Sequence, residues 1–160
     1  MSLDHKEKFI SELNALRGRK QFSVSITPDY YEPGYMEFMD QYDGEYYPET
    51  GKFNMSFEVR GVKYEGRMER IEFLHQGDSV QIVRDLENES NPNRIRVLTL
   101  KGKDIGLVPE ELSNSMAPLL DEGAISFSDV AIQYVEPISQ RNRNAVKPIL
   151  FVRVHGNFRL

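Results

Sequence analysis

The chain contains no cysteine. Disulfides, thiolate metal sites and cysteine nucleophiles are therefore excluded together. No apolar run comes near the roughly 20 residues that a bilayer span needs, so no membrane partner is expected. The opening stretch Met1-Ser2-Leu3-Asp4-His5-Lys6-Glu7 has no apolar core behind it of the kind a secretion signal carries, and a cytoplasmic location is expected. The sequence has no internal repeat and no low-complexity segment. Its three histidines, His5, His75 and His155, share no local metal-ligand spacing. Asp40, Asp43 and Glu45 fall close together but lack the terminal glutamate of a calcium loop. A phosphate-cradling glycine–lysine loop is missing, and serines such as Ser113 and Ser115 sit in no nucleophile elbow. No metal, cofactor or catalytic residue is expected, and the chain reads as a binding module rather than an enzyme.

What is present is an ordinary globular composition. The 160 residues are 39% hydrophobic and 28% charged, enough for one domain, or one domain with an appended element, around a real core. The charge is unevenly spread. After Glu136 there are five basic residues (Arg141, Arg143, Lys147, Arg153, Arg159) and no acid, although the whole chain is at −5. Asp29–Gly51 is the opposite case, with seven acids, six of the eight tyrosines and no Lys or Arg. A basic tail can face a polyanion. An acidic tyrosine-rich stretch would repel one, and fits rings packed on the body of the protein or a protein partner.

Periodicity sets the expected elements. Phe9, Leu13 and Leu16, with Ile10 alongside, predict an amphipathic helix over Leu3–Arg17 that stops at Gly18. Gln21–Thr27 alternates as a half-buried strand. Phe53, Met55, Phe57 and Val59 alternate toward one face, and a second alternating stretch is expected over Tyr64–Leu74, with Gly66 as a bulge. Strands follow at Val80–Arg84, Ile95–Leu100, Ile105–Val108, Ile125–Val135 and Ile149–Val154. Pro109-Glu110-Glu111 opens a helical stretch in which Pro118 predicts a kink or two short helices. Many short strands with one inserted helix pair suggest a small closed barrel. The expected division is an extension over 1–52, holding the helix, a strand and the tyrosine-rich segment, and a barrel domain over 53–160.

The runs Gly61-Val62-Lys63-Tyr64-Glu65-Gly66-Arg67, Gly77-Asp78-Ser79-Val80, Asn91-Pro92-Asn93-Arg94-Ile95-Arg96-Val97, Gly102-Lys103-Asp104-Ile105-Gly106-Leu107-Val108-Pro109 and Ala117-Pro118-Leu119-Leu120-Asp121-Glu122-Gly123, in that order and spacing, resemble the HIRAN domain over roughly Met55–Pro137. The resemblance implies a mainly β fold with α elements: a β-barrel related to the oligonucleotide-binding barrel, with a short helix pair. It also implies capture of single-stranded DNA or a free 3′ DNA end, as in helicase-like repair remodellers, and a likeness to small bacterial proteins built mainly from this domain. Carried onto this chain, the nucleic-acid-binding candidates are Lys63, Tyr64, Arg84, Asn88, Asn91, Asn93 and Arg94. The family's loop pattern departs here in two places. Ser90 stands where an aromatic stacks on the terminal base, and Asn91 where a carboxylate receives the terminal hydroxyl. Asparagine can still accept a hydrogen bond, without charge. Weak or altered specificity for DNA follows. The alternative is a protein-interaction module that uses Asp29–Gly51, with the DNA-end site degenerate.

Overall fold

The computed structural model describes residues 3–19, 44–87 and 90–159. The strand expected at Gln21–Thr27, the acidic stretch from Asp29 to Asp43, and Asn88 lie outside them. Helix α1 (Leu3–Arg19) runs through Gly18 instead of stopping at it. Phe9 and Leu13, one turn apart, are both fully buried. The Phe9 ring meets Phe53 edge-on at 5.1 Å and Phe158 at 5.9 Å, which fastens the helix to the first sheet.

That sheet holds four antiparallel strands in the order β1 (Gly44–Tyr47), β2 (Lys52–Glu58), β7 (Ile149–Phe158), β6 (Ile125–Glu136). Phe53, Met55 and Phe57 alternate toward the core as expected, and their register sets Met55 against Val154 and Phe57 against Val152. Fully burying one such side chain stabilises by about 1.5–3 kcal/mol. Tyr46, from the end of the tyrosine-rich segment, stacks edge-on against Phe158 at 5.5 Å. The second sheet is a three-stranded meander, β3 (Val80–Arg84), β4 (Ile95–Thr99), β5 (Asp104–Leu107). Val80, Ile95, Val97 and Ile105 turn from it into the same core.

The two sheets do not close into a barrel, which corrects the expected architecture. They meet at two isolated bridges, Arg60 with Leu107 and Ser79 with Ala131. The first is a reciprocal pair of main-chain bonds, Arg60 N–H to the Leu107 carbonyl at 2.8 Å and Leu107 N–H to the Arg60 carbonyl at 2.9 Å. A closed barrel needs a continuous ladder around the whole circumference. Here the chain turns away after Arg60, through left-handed residues at Glu65 (φ 58) and Gly66 (φ 77), before a ladder can form.

The same turn converts the second expected strand into a helix. Helix α2 (Arg67–Ile71) replaces the alternation expected over Tyr64–Leu74. Its buried residues are Arg67 and Ile71, a spacing of four that suits a helix. Gly66 is therefore the residue before a helix and not a bulge. The expected helix pair is also a single element. Helix α3 (Glu110–Asp121) keeps Pro118 in its interior. The proline removes one backbone bond close to the end of the helix, which terminates after Asp121 and is followed by β6 with no second helix between them.

Candidate functional site

The loop from β3 to β4 is the most heavily braced irregular segment of the described residues. Arg84 donates to the carbonyls of Arg94 at 3.0 Å and Pro92 at 2.8 Å, and forks onto Asp121 at the end of α3 at 2.9 and 3.1 Å. A bidentate guanidinium–carboxylate pair is the geometry that best fixes orientation. The Asn91 Oδ1 accepts the Asn93 N–H at 3.1 Å, an Asx turn. Asn93 in turn donates to Asn114 of α3 at 3.4 Å. The buried carboxylate of Asp85 accepts from Arg96 at 3.1 Å and stands 3.7 Å from the Arg94 Nε.

Against this loop opens a cleft of about 470 Å³. Ser90, Asn91 and Arg94 line it from the loop, Arg60 and Leu107 from the junction between the sheets, and Val108, Glu110, Glu111 and Ser113 from the entrance of α3. The two arginines present cationic donors. The two glutamates sit at the positive end of the helix dipole, where their charge is stabilised, and they offset the arginines. The cleft is thus polar and two-signed.

Several sequence-derived candidates take other places. Asn91 and Arg94 line the cleft. Arg84 and Asn93 act as braces for the loop that carries them. Lys63 and Tyr64 follow Arg60 in an exposed turn and are not among the lining residues, although the Tyr64 ring is 63% exposed and open to a stacking partner. Asn88 is outside the described residues. Arg60 and Ser113 were not anticipated. Arg60 carries one local signal, a basic residue at the end of an alternating strand just before a glycine. Its position at the cleft follows only from the bridge to Leu107, far along the chain.

A further unanticipated residue, Arg67, holds the turn itself. Only 2% exposed, it forks onto Asp104 at 3.1 and 2.9 Å and donates to the Gly61 carbonyl at 3.0 Å. Asp104 also accepts the Gly106 N–H at 3.0 Å. Behind Arg60, on the same side of β2, lies Glu58. Burial pushes its carboxyl up from 4.5 to about 7, and this outweighs the opposing pull of Lys147, Arg60 and Arg141.

Among the described residues no cluster of three His, Cys, Asp or Glu side chains is arranged to hold a metal ion. No described helix is long and apolar enough to cross a membrane.

Residues 52–147 match the family model of the HIRAN domain, well over half of the chain. No curated protein matches. Among solved structures the chain is similar to the HIRAN domain of human HLTF, at 17% identity over 66% of this chain and 76% of that one, TM-score 0.48. It is similar to a Lactobacillus plantarum protein at 19% identity over 65% and 98%, TM-score 0.46. It is also similar to the HLTF HIRAN domain in its DNA-bound conformation at 18% identity over 66% and 75%, TM-score 0.45.

Proposed function

This chain belongs to the HIRAN domain family, whose domains are recognition modules and not catalytic ones, and from that premise we propose that it binds nucleic acid, taking single-stranded DNA into the cleft between the β3–β4 loop and α3. The observation that carries the reading is that Arg60 and Arg94, far apart in sequence, line one cleft together with Ser90 and Asn91. The two guanidinium groups supply the phosphate contacts that dominate affinity for nucleic acid. The exposed Tyr64 ring, close along the chain, offers base stacking worth about 1–3 kcal/mol.

Specificity differs from end capture. Ser90 has no π-face to stack on a terminal base, and Asn91 supplies an amide where a terminal hydroxyl would be met by a carboxylate. Glu110 and Glu111 at the mouth weaken the attraction for phosphate. The cleft therefore takes a single strand with little regard for whether it ends there, and with modest affinity.

Fluorescence anisotropy tests this with three ligands: a short single strand with a free 3′ hydroxyl, the same strand with that hydroxyl blocked, and a duplex. Equal, salt-sensitive binding of the two single strands, with the duplex weaker, is expected. A clear preference for the free end would make Asn91 a working hydroxyl acceptor and overturn the loss of end specificity. Failure of all three to bind at low salt would overturn the nucleic-acid reading and leave the protein-interaction alternative.

A further inference from the structure

The cleft ends at Arg60, but the positive charge does not. In the pairing of β2 with β7, Glu58 lies opposite Phe151, and the Val59 N–H bonds the Leu150 carbonyl at 2.8 Å. That register, continued, brings Arg60 alongside the start of β7, and Lys147 is two residues ahead of Ile149, the first residue of that strand. The connection from β6 to β7 therefore arrives beside the cleft rim. It contains Arg141, Arg143 and Lys147 and no acid.

The connection is braced from beneath. Arg141 is almost wholly buried, 3.8 Å from Glu136, and donates to the Lys147 carbonyl at 2.8 Å. Ser139 is tied through its backbone and hydroxyl to Glu72 of the segment after α2. Arg60, Arg143 and Lys147 are exposed above this base. Of the nearby carboxylates Glu58 and Glu136 are buried and Glu72 is engaged by Ser139, while the exposed Glu110 and Glu111 line the cleft with Arg60. Cations held over buried acids keep their field toward solvent, whereas a freely solvated ion pair would cancel it.

Resting on the single-strand reading of the cleft, we propose that the bound strand continues past Arg60 onto the β6–β7 connection, where Arg143 and Lys147 receive its backbone phosphates and extend the site beyond the cleft. The ligand class is a phosphodiester chain, since these residues offer flexible cationic heads suited to phosphate oxygens. Protonation of the buried Glu58 beneath them would add to the attraction, because an approaching phosphate raises the cost of keeping that carboxyl charged.

The test compares a four-nucleotide and a twelve-nucleotide deoxythymidine strand on the full chain and on the double variant Arg143→Glu, Lys147→Glu. Both side chains are exposed, and the bond from Arg141 is to the Lys147 main chain, so the fold is retained; a thermal melt checks it. The full chain is expected to bind the longer strand about tenfold more tightly, and the double variant to lose that gap while holding the shorter strand within about twofold. The slope of log K against log salt for the longer strand should fall by about 1.4, for two lost single-strand phosphate contacts. The charge-conserving pair Arg143→Lys, Lys147→Arg should restore the gap. A gap that survives charge reversal, or an equal loss for both lengths, overturns the extension while leaving the cleft standing. Failure of the full chain to bind either length overturns the cleft reading and the extension together.

Discussion

Glu58 shows how much one side chain depends on what is built around it. In the sequence it lies on the polar side of an alternating strand, and alternation would leave it in water. In the folded chain it is 6% exposed, opposite Phe151 of β7, with the charges of Lys147, Arg60 and Arg141 acting on it. Its carboxyl is raised to about 7 from 4.5. A raised acid binds more protons folded than unfolded across that interval, so stability falls as pH rises from 4.5 to about 7 and is level above. Glu58→Gln should therefore raise the stability measured by urea unfolding at pH 8 by at most about 3 kcal/mol, and should give no such gain at pH 4. An equal gain at both pH values would show that packing, and not ionisation, is responsible. In the same variant, nucleic-acid affinity between pH 6 and 8 should become flat, where the unaltered chain weakens as pH rises through about 7.

At the scale of elements, the junction between the sheets depends on Gly106. Its φ of +148 is one that side chains rarely adopt, and a Cβ there would collide with Val59 and lie 2.8 Å from the Arg60 carbonyl oxygen. That carbonyl is the acceptor of the bridge that sets Arg60 at the cleft. Gly106→Ala should cost about 2–4 kcal/mol in urea unfolding, from strain and overpacking together, and should weaken single-strand binding further than stability alone explains. Binding unchanged per folded molecule would separate the bridge from the site. The β3–β4 loop illustrates the other kind of element. Its Asx turn and Asn-Pro-Asn punctuation are legible locally, but its rigidity comes from Arg84 reaching Asp121 at the far end of α3. Arg84, a nucleic-acid-binding candidate from the sequence, braces the residues that line the cleft.

Across the whole molecule, α1 and both sheets share one cluster of buried side chains, from Phe9 and Leu13 through Phe57 and Ile105 to Phe158. Among the described residues the sheets are joined at two bridges, yet neither has an apolar face of its own to retain once the other leaves. Unfolding in urea should accordingly be a single transition, coincident by far-ultraviolet dichroism and by tyrosine fluorescence. Two resolved transitions would mean that the meander β3–β5 is an independent unit. The distribution of charge also belongs to this scale. The net −5 argues against a polyanion partner only while charge is summed. Placed in the fold, Arg143 and Lys147 of the β6–β7 connection are exposed, while Glu58 and Glu136 are buried.

The sequence by itself determined the parts of this protein that depend on near neighbours. The core stripe of β2, the Phe9–Leu13 face of α1, the glycine turns of the meander and the mainly β character all follow from periods of two or near four, which residues a few positions apart are enough to express. The ordered run of short motifs was likewise sufficient to place the chain in its family. Tertiary structure alone decided whether the sheets close, because that depends on two bridges between residues far apart in sequence and on a left-handed turn at Glu65–Gly66 that no alternation pattern reveals. It also decided which cations face the cleft. A basic residue in sequence is only a charge on a flexible stem, and its role is assigned by the carboxylate or carbonyl that the fold brings to it: Asp121 for Arg84, Asp104 for Arg67, and open solvent at the rim for Arg60.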